Sequence, residues 1–164
     1  VLVTQEGVPI GRQFTFAEIR AQQTELRAAR LRPLKLTKKE VKDFWGKLSE
    51  QRIRNVEGEL KITFPEEYRE FLAEYGAGGV CGEYIEGIQG DKGASVVTAT
   101  EKWREFGLPE NAFVVLDVGE YAICMLENGK VYSWTRGSKA LDQERYVSFY
   151  DFVNDYFQEA IDNF

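Results

Sequence analysis

Glu57–Gly79 reads EGELKITFPEEYREFLAEYGAGG, and the spacing inside it decides how the rest of the chain must fold. Pro65 suits the first turn of a helix, where its missing N–H costs nothing. From there Tyr68, Phe71, Leu72 and Tyr75 fall on one face, while Glu66, Glu67, Arg69, Glu70 and Glu74 fall on the other. Gly76, Gly78 and Gly79 stop the helix. Just upstream, Ile53, Val56 and Leu60 repeat the same period up to the break before Pro65. Two short amphipathic helices in series, one with an aromatic face, need a sheet to cover.

Working outward, the stretch TKKEVKDFWGKLSEQ (37–51) opens on a capping box, Thr37 with Glu40, and places Val41, Phe44, Trp45 and Leu48 at helical spacing. A second box, Thr15 with Glu18, predicts a helix to about Leu31, closed by Pro33. Residues 1–16 read as a strand, a loose arm or a remnant of fusion. Downstream, VCGEYIEGI (80–88) reads as one irregular strand, and Thr98 with Glu101 predicts a short helix through Trp103 and Phe106. AFVVLDV (112–118) is apolar on both sides, as a central strand is. In YAICMLENGKVYSW (121–134), Asn128-Gly129 predicts a two-residue hairpin. That register sets Met125 against Tyr132 and Ile123 against Trp134 on a large aromatic face, with Leu126 against Val131 and Cys124 against Ser133 on a small one. A closing helix carries Phe149, Phe152, Val153, Tyr156, Phe157, Ala160, Ile161 and Phe164 on one stripe. The expected fold is α+β: a central, mostly antiparallel sheet with helices packed against it, preceded by an extra N-terminal helix. Residues 1–36 form a basic extension and 37–164 the domain.

The chain has 164 residues, 43% hydrophobic and 13% aromatic, enough for one well-buried core. No apolar run approaches the roughly 20 residues of a membrane span. The start at Val1 reads as a trimmed chain. With no histidine and only Cys81 and Cys124, far apart, no metal-like spacing exists, and reduced thiols in a cytoplasmic protein are the simplest reading; a disulfide is the minor alternative. Charge divides sharply. Residues 1–39 carry eight basic and three acidic side chains, a net of +5, and residues 40–164 carry thirteen basic and twenty-four acidic, a net of −11. The acidic part repels nucleic acid and attracts basic proteins.

Glu57, Leu60, Phe64-Pro65, Tyr68, Phe71-Leu72 and Tyr75, followed by Gly76, Gly78 and Gly79, resemble the signature of the SUKH superfamily. SVV at 95–97, the helix ending in GLP, FVVLDV and YAICML follow in the expected order. The resemblance runs from about Thr37 to the C-terminus and is similar to bacterial members bearing YGAGG, immunity proteins for secreted polymorphic toxins, many of them nucleases. It implies binding without catalysis and without a cofactor. Lys61 departs from the pattern, which has glycine there, and the first 36 residues lie outside it. The superfamily also holds eukaryotic regulatory scaffolds, a second reading.

The motif residues describe a buried helical face, and helix-ending glycines outweigh an anion cradle. Glu83 with Glu86, or Asp117 with Glu120, resembles an acid–base pair, but a solvated acidic rim accounts for both. The candidate partner surface is therefore Glu83, Tyr84, Glu86, Asp91, Glu120, Tyr121, Glu127, Tyr132 and Trp134. Aromatics anchor a contact and carboxylates steer a basic toxin. No small-molecule substrate or membrane is expected, and the basic helix from Thr15 to Arg32 carries the third reading, nucleic-acid binding.

Overall fold

Every strand pairing among the described residues is antiparallel. The computed structural model describes residues 2–5, 8–13, 15–18, 42–141 and 143–164, in two units, Val1–Lys35 and Leu36–Phe164. In the first unit, β1 (Leu2–Gln5) and β2 (Val8–Gln13) form a hairpin. Residues 16–18 are helical, and the Glu18 N–H donates to Thr15 Oγ1 at 3.1 Å, half of the expected capping box. The remainder of that helix, Pro33 and the Thr37–Glu40 box lie outside the described residues.

In the second unit, β3 (Lys42–Phe44), β4 (Gly78–Val80) and β5 (Glu83–Ile85) make a three-stranded sheet. A four-stranded sheet runs in the order β6 (Ala112–Asp117), β7 (Tyr121–Leu126), β8 (Val131–Thr135), β9 (Glu144–Tyr146). The Glu86 N–H donates to Val115 O at 2.8 Å and links the two. The helices are α1 (Glu50–Leu60), α2 (Glu66–Tyr75), α3 (Ser95–Arg104) and α4 (Phe149–Asp162). The class is α+β, as expected.

Several local expectations give way to tertiary structure. The helix read over 37–51 is absent from its described part: Lys42–Phe44 pairs with Gly78–Val80, and α1 begins only after Ser49, whose Oγ accepts from the Arg52 N–H at 3.2 Å. Glycine makes that pairing possible, because a Cβ at Gly78, where φ is +117°, would lie 2.0 Å from Asp43 O. The single strand read over 80–88 is a tight hairpin turning at Cys81 and Gly82, both with positive φ (51° and 82°). Helix α3 starts at Ser95, ahead of the Thr98–Glu101 box, because Gln89 Oε1 accepts from the Ser95 N–H at 2.9 Å and so caps it from outside. Strand β6 is at the end of its sheet in hydrogen-bonding order instead of its centre, yet it is buried on both faces. One of its N–H groups, on Val114, donates to the buried Thr100 Oγ1 of α3 at 2.9 Å.

The β7–β8 register is one residue away from the expected one. Met125 faces Val131, Cys124 faces Tyr132 and Ala122 faces Trp134. The turn holds three residues: the Gly129 N–H donates to Leu126 O at 2.9 Å, the Lys130 N–H donates to Asn128 Oδ1 at 2.9 Å, and Gly129 takes φ +87°. This is the three-residue alternative for such sequences, a turn closed by a left-handed residue. A one-residue slip exchanges faces. Small Ala122 and Cys124 therefore share a side with Trp134, under Ala99 and Trp103 of α3. The opposite side carries Phe113, stacked among Phe64 at 4.9 Å and Tyr68 at 5.1 Å, with Phe149 of α4 at 5.2 Å from Tyr68. Each such buried aromatic contributes on the order of 2–3 kcal/mol by area alone.

Candidate functional site

The residues of the motif lie in α1, in α2 and in the link between them. Glu57 Oε2 accepts from the Phe64 N–H at 2.7 Å, and its other oxygen pairs with Arg69, which also pairs with Glu50. This carboxylate locks the α1–α2 link. Lys61 caps α1 at φ 56°, left-handed although not glycine, with its N–H on Glu57 O. Leu60, Tyr68, Phe71 and Leu72 are buried, Pro65 precedes α2, Tyr75 rests 4.6 Å from the Phe44 ring, and Gly76 ends the helix. Any Cβ at Gly79 would collide with Glu83 O at 1.8 Å, so backbone already fills the space that an anion would need.

Of the nine surface residues expected from sequence, four lie apart from the rest, and three of these are engaged in the fold. Trp134 is only 1% exposed, donates through Nε1 to Phe106 O at 3.3 Å and is withdrawn from the surface: the register slip turned it under α3. Tyr132 is half-buried against the same cluster. Glu127 is exposed, but its Oε1 accepts from the Thr63 N–H at 2.9 Å and ties the hairpin tip to the α1–α2 link. Asp91 is exposed in a turn whose carbonyls, Gly90 O and Gly93 O, accept from the Arg52 guanidinium at 2.8 and 3.1 Å.

The other five gather around β5 and the β6–β7 turn. Alternation along β5 sends Glu83 and Tyr84 to opposite sides. On the first side lies a groove of about 500 Å³, lined by Glu83, Asp117, Tyr121, Arg145 and Tyr156 among others. Glu83 Oε2 accepts from the Tyr156 hydroxyl at 2.5 Å, and burial with this bond drives that phenol's pKa upward. Tyr146 donates to Asp155 Oδ2 at 2.5 Å, which, with burial, pushes its pKa up to about 12. At Asp117, burial would raise the pKa, but Lys102 Nζ at 2.8 Å and the Gly119 N–H at 2.9 Å bring it below the usual carboxylate value. Tyr121, 40% exposed, stands at the rim beside exposed Glu120.

On the second side is a hollow of about 380 Å³ among Asp43, Trp45, Tyr84, Glu86, Gln89 and Ser95. Trp45 is 66% and Tyr84 47% exposed, uncommon for aromatics of that size. Sequence reading placed Trp45 on a helix face and so missed it; the following Gly46 was the one available signal against a helix. Burial raises the Glu86 pKa, an effect that a hydrogen bond from Ser95 offsets only in part.

Neither carboxylate pair is assembled for acid–base work. Glu83 and Glu86 line different hollows, and Asp117 is engaged by Lys102 while Glu120 faces solvent. Cys81 and Cys124 are both free, and burial pushes the Cys124 thiol up to about 12. Among the described residues, no group of three potential ligands could hold a metal ion and no helix is long and apolar enough to cross a membrane.

Comparison with known proteins agrees with this architecture. The fold is similar to that in a solved structure described as "Crystal structure of protein from Pseudomonas syringae pv. tomato", with a TM-score of 0.61 and 17% identity, covering 82% of this chain and 98% of that one. Residues 25–158 match the profile SUKH_5, described as SMI1-KNR4 cell-wall, so family likeness begins upstream of Thr37, inside the segment that the motif alone left out. The chain belongs to that family, within the SUKH superfamily.

Proposed function

We infer that this chain is a cytoplasmic immunity protein: it binds a cognate secreted toxin, most simply a basic nuclease, and neutralises it without chemistry of its own. The observation that carries the reading is the pair of hollows flanking β5: exposed Tyr121 stands with Glu83 at one, beside exposed Glu120, and exposed Tyr84 stands with Glu86 at the other. Exposed aromatics supply rigid contact area, and carboxylates around them raise the encounter rate with a positively charged partner. The net charge of −11 over residues 40–164 acts in the same direction. Nuclease toxins carry basic surfaces because they grip phosphate backbones.

Co-expression with the toxins encoded beside this gene tests the reading. Growth should be restored for one of them, and Glu83→Lys with Glu120→Lys should lower that protection. Failure of rescue against every neighbouring toxin would overturn it. The family's cell-wall description favours a second reading, a regulatory scaffold with several weak partners, for which no rescue is expected.

A further inference from the structure

The hollow between Trp45 and Tyr84 has features that the general acidity of the surface does not explain. Two large aromatic side chains are left in water on either side of it, at 66% and 47% exposure. Stranding that much aromatic surface in water forfeits the gain that burying it would bring. Within the hollow, Gln89 and Ser95 are already satisfied by each other and by backbone: Gln89 Nε2 donates to Ser95 Oγ at 2.7 Å, and that oxygen also accepts from the Gly87 N–H at 3.0 Å. Asp43 and Tyr84 line the hollow together, and the carboxylate raises the phenol's pKa. Glu86 is different. Its carboxylate carries a charge that burial disfavours and that a hydrogen bond from Ser95 compensates only in part, and Lys102, the cation that acts on it, is bound to Asp117 at 2.8 Å. Among the described residues, no lysine or arginine forms an ion pair with Glu86.

A recess with aromatic walls, two carboxylates and no cation among its described lining residues is complementary to a flat, weakly hydrated cation. A guanidinium stacks on an indole face and presents a fork of donors to carboxylates, whereas an ammonium is a compact, strongly hydrated point charge. We propose that the hollow formed by Asp43, Trp45, Tyr84 and Glu86 is the anchor pocket for an arginine side chain of the partner protein. The proposal deepens the reading of this chain as a protein-binding module and rests on it for the identity of the arginine's owner; the pocket's chemistry stands separately. The arginine would enter along the Trp45 ring, close its fork on Glu86 and Asp43, and leave its aliphatic stem against Tyr84.

The test uses the full chain and a small probe, N-acetyl-arginine amide, followed by NMR at the Trp45 indole N–H. Saturable shifts confined to Trp45, Tyr84 and Glu86 are expected, with N-acetyl-citrulline amide, equal in shape but neutral, at least about fivefold weaker. N-acetyl-lysine amide should also be weaker. Trp45→Ala and, separately, Glu86→Gln should each lose the shifts while leaving the rest of the spectrum in place. Equal binding of the citrulline or lysine probe, or shifts that survive both substitutions, would overturn the arginine pocket. The two readings fail differently: toxin binding unaffected by Trp45→Ala and Glu86→Gln together would remove the pocket as anchor and leave the immunity function intact. Probe binding without any toxin rescue would do the reverse.

Discussion

The two sheets of the main unit solve opposite problems. In the four-stranded sheet, Phe113, Val114, Ala122, Cys124, Met125 and Val131 are all wholly buried, covered by α3 on one side and by the aromatics of α2 and α4 on the other. The three-stranded sheet has strands of three residues, depends on glycines for close backbone approach, and carries Trp45 and Tyr84 at its margin in solvent. One sheet is enclosed, and the other leaves aromatics exposed at its margin. What the difference teaches is that the small sheet divides its side chains, with Val80 and Ile85 buried in the core and Tyr84 left in solvent.

The largest effect should come from the first sheet. Phe113→Ala or Trp103→Ala should cost about 3–5 kcal/mol, read from urea denaturation, because each leaves a large cavity in a packed cluster. By contrast, Tyr84→Ala and Tyr121→Ala should stay within about 0.5 kcal/mol of the parent. A cost at Tyr84 comparable with that at Phe113 would erase the distinction. Next, Gly78→Ala should cost about 2 kcal/mol or more, since it adds a clash with Asp43 O to a strained φ. Its signature should be local, with hydrogen exchange quickened in β3 and β4 and unchanged in β6–β8.

The sequence made the helical scaffold and the class legible because both follow from apolar period and from proline and glycine punctuation. It did not reveal the β3 strand: Phe44, Trp45 and Leu48 fit a helix as well locally, and only pairing with Gly78–Val80, far along the chain, decides otherwise. The β7–β8 register escaped for a related reason, since Asn128-Gly129 suits a two-residue or a three-residue turn and the core chooses between them. Of the site, Glu83, Tyr84, Glu86, Glu120 and Tyr121 were legible as acid and aromatic residues near a hairpin. Trp134 was misplaced by the register, and Trp45 was hidden by the helix reading.

Smaller effects sharpen the comparison further. Lys61→Gly should stabilise the chain by about 0.5–1 kcal/mol, because glycine tolerates the left-handed cap that lysine occupies under strain. Alkali should act through the groove. Tyr146 has its pKa raised from 10.0 to about 12, so above pH 10 the unfolded chain releases a proton that the folded chain retains. Stability is therefore full below pH 10 and declines between 10 and 12. Tyr146→Phe should flatten that decline in a thermal melt, modestly because the group is only partly buried. Among the smallest effects, Glu86→Gln should leave neutral-pH stability equal or slightly higher, since burial already disfavours its charged form.

The most direct measurement is the dissociation constant between this chain and the toxin domain proposed as its partner, for the parent, for Glu83→Lys with Tyr84→Ala and Glu120→Lys, and for Glu127→Gln with Tyr132→Phe as control. The triple variant should bind at least about a hundredfold more weakly, two or more contacts of hot-spot size, while the control keeps parental affinity. Parental affinity in the triple variant, at unchanged stability, would contradict the assignment of the hollows flanking β5 as the binding surface.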